Sequence, residues 1–106
     1  MNEVLQTISN IGIVPVIAID DASKAVPLAK ALVAGGLPAA EVTFRTAAAE
    51  DAIKAIAKEV PEMLLGAGTV LTADQADRAI AAGAKFIVAP GYDPKVTQHV
   101  IDMGCL

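Results

Sequence analysis

Four times along this chain, a short run of β-branched and aliphatic residues gives way to a longer stretch with apolar residues at helical spacing. The runs at residues 11–19, 40–44, 63–67 and 86–89 read as strands of the kind that parallel sheets bury. Pro15 falls inside the first run and forfeits one ladder hydrogen bond. After that run, Ala22, Ala25, Val26, Ala29, Leu32 and Val33 recur at helical spacing. Asp20, Asp21 and Ser23 are candidate N-caps there, and Gly35-Gly36 supplies the stop. Pro27 fits that helix only near its start. Thr46 is placed to cap a second helix bearing Ile53, Ile56, Ala57 and Val60. Thr72 and Gln75 have capping-box spacing ahead of Ala76, Ala79 and Ile80, with Gly83 at the end. Asp93-Pro94 opens a last helix with Val96, Val100 and Met103. A short amphipathic helix over residues 2–9, with Val4, Leu5 and Ile8 on one side, precedes the series.

The repeat is roughly 20 to 25 residues long, and a regular strand–helix alternation implies a parallel sheet with right-handed crossovers. An open doubly wound sheet and part of a (βα)8 barrel both satisfy it. A complete barrel takes about 250 residues, and this chain has 106. Ala34-Gly35 precedes the second strand and Ala82-Gly83 the fourth; Met103-Gly104 repeats that grammar with only Cys105 and Leu106 after it. The expectation is one segment, residues 1–106, forming half of something larger.

Composition removes several function classes. The chain is 55% hydrophobic and 19% charged, yet no apolar run approaches the eighteen or so residues of a membrane span. A net charge of -4 repels a phosphate backbone, so no nucleic-acid partner is expected. The single cysteine, Cys105, excludes an internal disulfide framework. Met1-Asn2-Glu3-Val4 lacks the basic region and apolar core of a signal peptide, so cytoplasm is the expected compartment. Aromatics are only 3%, so Ile, Val and Leu must fill the core while alanine lets helices sit close to the sheet.

In parallel α/β folds, ligands meet the C-terminal ends of the strands. Glu41-Val42-Thr43-Phe44-Arg45-Thr46 lies at such an end. Strand alternation puts Glu41, Thr43 and Arg45 on one face and Val42 and Phe44 on the helix-facing side. Charged groups on an inner sheet face are costly unless paired or used; a structural ion pair or an exposed edge explains them as well as a site does. Gly66-Ala67-Gly68-Thr69 ends the third strand and leads to a helix N-terminus. Leu71 stands where a dinucleotide fingerprint would place its third glycine, and no P-loop lysine follows. A phosphate- or nucleotide-binding open sheet therefore rests on these glycines alone, and a tight turn explains them. Ala89-Pro90-Gly91-Tyr92 fixes a loop after the fourth strand. His99 has no second His or Cys at ligand spacing; Lys95, near a helix N-terminus at the functional end of the sheet, reads as a solvated lysine, and Lys85 precedes its strand at the opposite end.

Taken in order, Ile13-Val14-Pro15-Val16-Ile17, Ala31-Leu32-Val33-Ala34-Gly35-Gly36, Glu41-Val42-Thr43-Phe44-Arg45-Thr46, Gly66-Ala67-Gly68-Thr69-Val70-Leu71 and Phe86-Ile87-Val88-Ala89-Pro90-Gly91 resemble the 2-keto-3-deoxy-6-phosphogluconate (KDPG) and 4-hydroxy-2-oxoglutarate (KHG) aldolase family. One departure is Ala89, where that family often has serine. The resemblance implies the first four βα units of a (βα)8 TIM barrel, a homotrimer, and a class I lyase of carbohydrate metabolism with no metal or cofactor. In that family a lysine on the sixth strand forms a Schiff base with the substrate ketone, and the imine accepts electrons as the carbon–carbon bond breaks. The products are pyruvate and glyceraldehyde 3-phosphate, or pyruvate and glyoxylate. The resemblance assigns Glu41 as general acid and base, Arg45 and Thr69 as holders of the pyruvyl carboxylate, and Pro90 as pocket wall. It places the lysine beyond residue 106, so the chain alone is expected to carry half a site and to be inactive. The alternative is a non-catalytic half-barrel that pairs at its edges with another copy or a complementary half.

Overall fold

A computed structural model describes residues 2–106; Met1, the head of the start weighed above as a leader, lies outside them. The elements run α1 (Glu3–Ile11), β1 (Val16–Ile17), a 3-10 turn (Ala22–Lys24), α2 (Ala25–Ala34), β2 (Ala39–Thr43), α3 (Ala49–Glu59), β3 (Leu64–Gly68), α4 (Ala73–Ala82), β4 (Phe86–Ile87) and α5 (Pro94–Asp102). All strand pairs are parallel, and the sheet order is β1-β2-β3-β4. That order decides between the two architectures. A doubly wound sheet reverses direction at a switch point, whereas here every crossover steps one strand the same way, as in a barrel wall. The chain forms four parallel strands alternating with helices, a half-barrel.

A single apolar cluster occupies the layer between sheet and helices. Val42 and Leu65, both buried, meet Ile53 and Ile56 of α3, Ala76 and Ala79 of α4 and Val96 and Val100 of α5. Ile17 and Ile87 join it from the outer strands. Alternation turns Val16, Glu41, Thr43, Gly66, Gly68 and Phe86 to the opposite face, the one that lines a barrel's interior.

Several local expectations are corrected. The first strand is much shorter than residues 11–19: Gly12 closes α1 in the left-handed region (φ 85°), and Pro15 contributes only its carbonyl, which accepts from Glu41 N at 2.9 Å. The apolar side of α1 finds no core, and none of its residues is buried. The second helix is entered through a 3-10 turn, while the expected Asp21 cap and the expected place of Pro27, in the first turn of α2 where its missing N–H is harmless, both hold. Thr46 does not cap α3; Ala48 holds that position without a side-chain bond. The fourth strand stops at Ile87 rather than residue 89. Beyond it, Ile87 N donates to the Leu106 carbonyl at 2.9 Å, so the end of the chain lies along the outer edge of β4.

Candidate active site

The C-terminal ends of β1 and β2 are lashed together by threonines, and β3 is tied on by a backbone bond. Thr43, buried in β2, donates its hydroxyl to the Ile17 carbonyl at 3.0 Å, and Thr46 donates to the Ile19 carbonyl at 2.5 Å. Phe44 N donates to the Gly68 carbonyl at 2.8 Å, which holds the turn after β2 against the end of β3. Thr43 and Thr46 were not singled out as site residues by the sequence; Thr43 reads as β propensity and Thr46 as a helix cap, and their long-range acceptors are invisible there.

On this frame the structure brings three of the four candidates together. Glu41 is half-buried on the inner face, in register with Gly66, and its side chain leans toward the rim so that the carboxylate lies over Gly68. Burial raises its pKa above the ordinary glutamate value, and the Arg45 charge opposes that rise. Removing a carboxylate from water disfavours its charged form. Arg45 lies past the end of β2, in the turn, and is exposed. Strand alternation therefore does not aim it; instead its Nε donates to the Thr69 hydroxyl at 3.2 Å. Thr69 has φ 55°, the one positive value outside glycine among the described residues. A β-branched residue rarely adopts that conformation, and here it accompanies the hydroxyl's contact with Arg45.

Pro90 stands apart from the other three. With Val70, Leu71, Tyr92, Val96 and Thr97 it lines a cavity of about 260 Å³ between the loops after β3 and β4. Glu41, Arg45 and Thr69 do not line that cavity. On the helix side of the rim, Arg78 of α4 lies over the Phe44 ring, 5.8 Å from its centroid, and its Nε bonds Glu50 Oε1 at 2.5 Å. His99 bonds Asp77 at 2.6 Å, joining α5 to α4. Cys105 is partly buried, and burial pushes its thiol pKa up.

A wall of parallel strands in sequential order, with a half-buried carboxyl and an arginine–threonine pair at its C-terminal rim, defines a (βα)8-type half-barrel with its polar groups where such barrels place their sites. The model of the KDPG and KHG aldolase family matches residues 4–105, and the chain belongs to that family. It is 46% identical over 104 residues to the 2-dehydro-3-deoxy-phosphogluconate aldolase of Treponema pallidum (strain Nichols), covering 98% of this chain and 50% of the relative. The solved 2-keto-3-deoxy-6-phosphogluconate aldolase of Zymomonas mobilis ZM4 with 3-phosphoglycerate superposes with TM-score 0.90 at 43% identity, over 99% of this chain and 50% of that one. The KDPG aldolase of Legionella pneumophila, with pyruvate captured as a covalent carbinolamine, superposes with TM-score 0.78 at 42% identity, over 81% of this chain and 42% of that one. The chain thus spans about half the length of the relatives it matches. Among the described residues, no helix is long and apolar enough to cross a membrane.

Proposed function

We propose that these residues furnish the proton-transfer and carboxylate-binding half of a class I aldolase site in the cytoplasm. The substrate is KDPG, cleaved to pyruvate and glyceraldehyde 3-phosphate, or KHG, cleaved to pyruvate and glyoxylate. The observation that carries this reading is the Glu41 carboxylate over Gly68, beside the Arg45–Thr69 pair. A carboxyl whose pKa is raised holds its proton closer to neutral pH and serves better as a shuttling acid and base. Arg45 gives its Nε to Thr69, and its terminal nitrogens form the fork that grips a carboxylate. Pro90 shapes the neighbouring wall. Capture of pyruvate as a covalent carbinolamine, in the Legionella pneumophila relative, is the chemistry this half would serve.

None of the six lysines lies on a strand, whereas the family's carbonyl-capturing lysine is a strand residue. Lys24, Lys30, Lys54, Lys58 and Lys95 lie in helical segments, and Lys85 precedes β4 at the opposite end of the sheet. The 106-residue chain alone therefore does not cleave the aldol. The test is a chimaera in which residues 1–106 replace the matching half of the Treponema pallidum relative. Glu41→Gln in that chimaera lowers kcat for aldol cleavage by about a hundredfold or more. Unchanged kcat refutes the reading.

A second reading, assembly, is favoured by Ile13 and Val16, which are 65% and 60% exposed at the start of the sheet. Homotypic pairing over this half-barrel, or pairing with a complementary half, would cover them.

A further inference from the structure

We propose that Gly68 is a positioning residue for Glu41: its bare backbone is the seat on which the carboxylate rests, and a side chain there would displace the group from the rim. The catalytic consequence rests on the function proposed above; the seat itself does not.

The argument begins with the row across the sheet. Glu41 and Phe86 are both in register with Gly66, one from each neighbouring strand. The Phe86 ring fills the space a Gly66 side chain would take; a Cβ built there falls inside contact distance of the ring. The position level with Glu41 is therefore occupied. Its side chain must run two residues further along β3, to the level of Thr43 and Gly68. At Gly68 a Cβ would overlap Oε1 outright and stand 2.6 Å from Cδ and 2.8 Å from Cγ of Glu41. Gly68 lacks a positive φ, so its backbone does not demand glycine. The demand comes from space, and the three nearest atoms that make it all belong to the Glu41 side chain. The length of a glutamate is what carries the carboxyl from its own level to that seat. Phe86, buried on the same face, helps exclude water there, and Arg45 is the charged group whose field reaches the carboxylate.

The obstructing atoms are the free end of a flexible side chain, so Gly68→Ala folds and Glu41 yields. The first measurement is a carbon-detected NMR titration of the Glu41 carboxyl in the 106-residue chain. In Gly68→Ala its midpoint falls toward the ordinary glutamate range, because the group is pushed out into water. Glu41→Asp, which draws the carboxylate back without touching β3, moves the midpoint toward the ordinary aspartate range and keeps the test open if the alanine variant misfolds. A midpoint unchanged by either variant overturns the seat. The second measurement uses the chimaera. Gly68→Ala lowers kcat about tenfold or more with a smaller change in KM, and adds no loss on top of Glu41→Gln. A full additional loss in the Glu41→Gln background overturns the coupling. A shifted midpoint with unchanged kcat leaves the seat standing and refutes the catalytic reading of Glu41.

Discussion

Glu41 lies between a force that strips water from it and a guanidinium that favours its charge, and burial is the larger influence. Its folded pKa is raised, so folding favours the protonated acid. Below the ordinary glutamate value both folded and unfolded chains hold the proton, and this contribution to stability is fully present. As pH climbs through the raised folded value the contribution is lost, and it stays lost above. Glu41→Gln mimics the protonated side chain at every pH. The urea midpoint of the parent therefore falls relative to Glu41→Gln as pH rises from about 4 to 8; parallel curves would remove the desolvation argument. At this scale the residue types were legible and their arrangement was only half so. An acid among β-branched neighbours announced a charge on an inner face. The turn that carries Arg45 away from the strand, and the left-handed backbone at Thr69, depend on the Arg45–Thr69 and Phe44–Gly68 contacts between segments far apart in sequence.

Helix boundaries were readable wherever the cap is local. Thr72 accepts from Gln75 N at 3.1 Å, and Asp93 accepts from Lys95 N at 2.9 Å with Pro94 behind it, as their spacing requires. Thr46 shows the converse: the Ile19 carbonyl, past the end of β1, takes the hydroxyl, and α3 starts uncapped with Glu50 and Asp51 in its first turn. Gly83 looked like an ordinary helix stop and proves tighter. It has φ 121°, and a Cβ added to it would lie 2.5 Å from Ala57 Cβ on α3. The α3–α4 approach is thus set by a missing methyl as well as by a turn. Gly83→Ala costs about 2–4 kcal/mol in chemical denaturation, from backbone strain plus overpacking. A double-mutant cycle with Ala57→Gly shows a favourable coupling, which isolates the overpacking share. A loss below about 1 kcal/mol would mean the helices part without cost.

The whole sheet was legible as a count and a direction of elements, because hydrophobic period and turn residues repeat in register with the βα unit. The choice between barrel wall and open sheet came only through the family resemblance, and rightly, since strand order depends on long-range pairing that no local signal encodes. That order has a consequence for assembly. Helices cover one face of the sheet, while the other carries Phe86 and Glu41 and leaves Val16 open on β1; Ile13, in the connection before β1, is exposed as well. The β1 edge is itself guarded, being two residues long and preceded by a proline. The β4 edge is partly met by Leu106. The exposed apolar side chains, rather than bare backbone, are then the drive for self-association. Sedimentation of the chain at about 100 μM should give a mass well above its 10.8 kDa monomer. Ile13→Asp, on an exposed position with no packing to lose, should return it toward the monomer without lowering its urea midpoint. A parent chain that stays monomeric across concentration would rule out the assembly reading, and it would leave Glu41, Arg45 and Thr69 as they are, because no partner is needed to bring those three together.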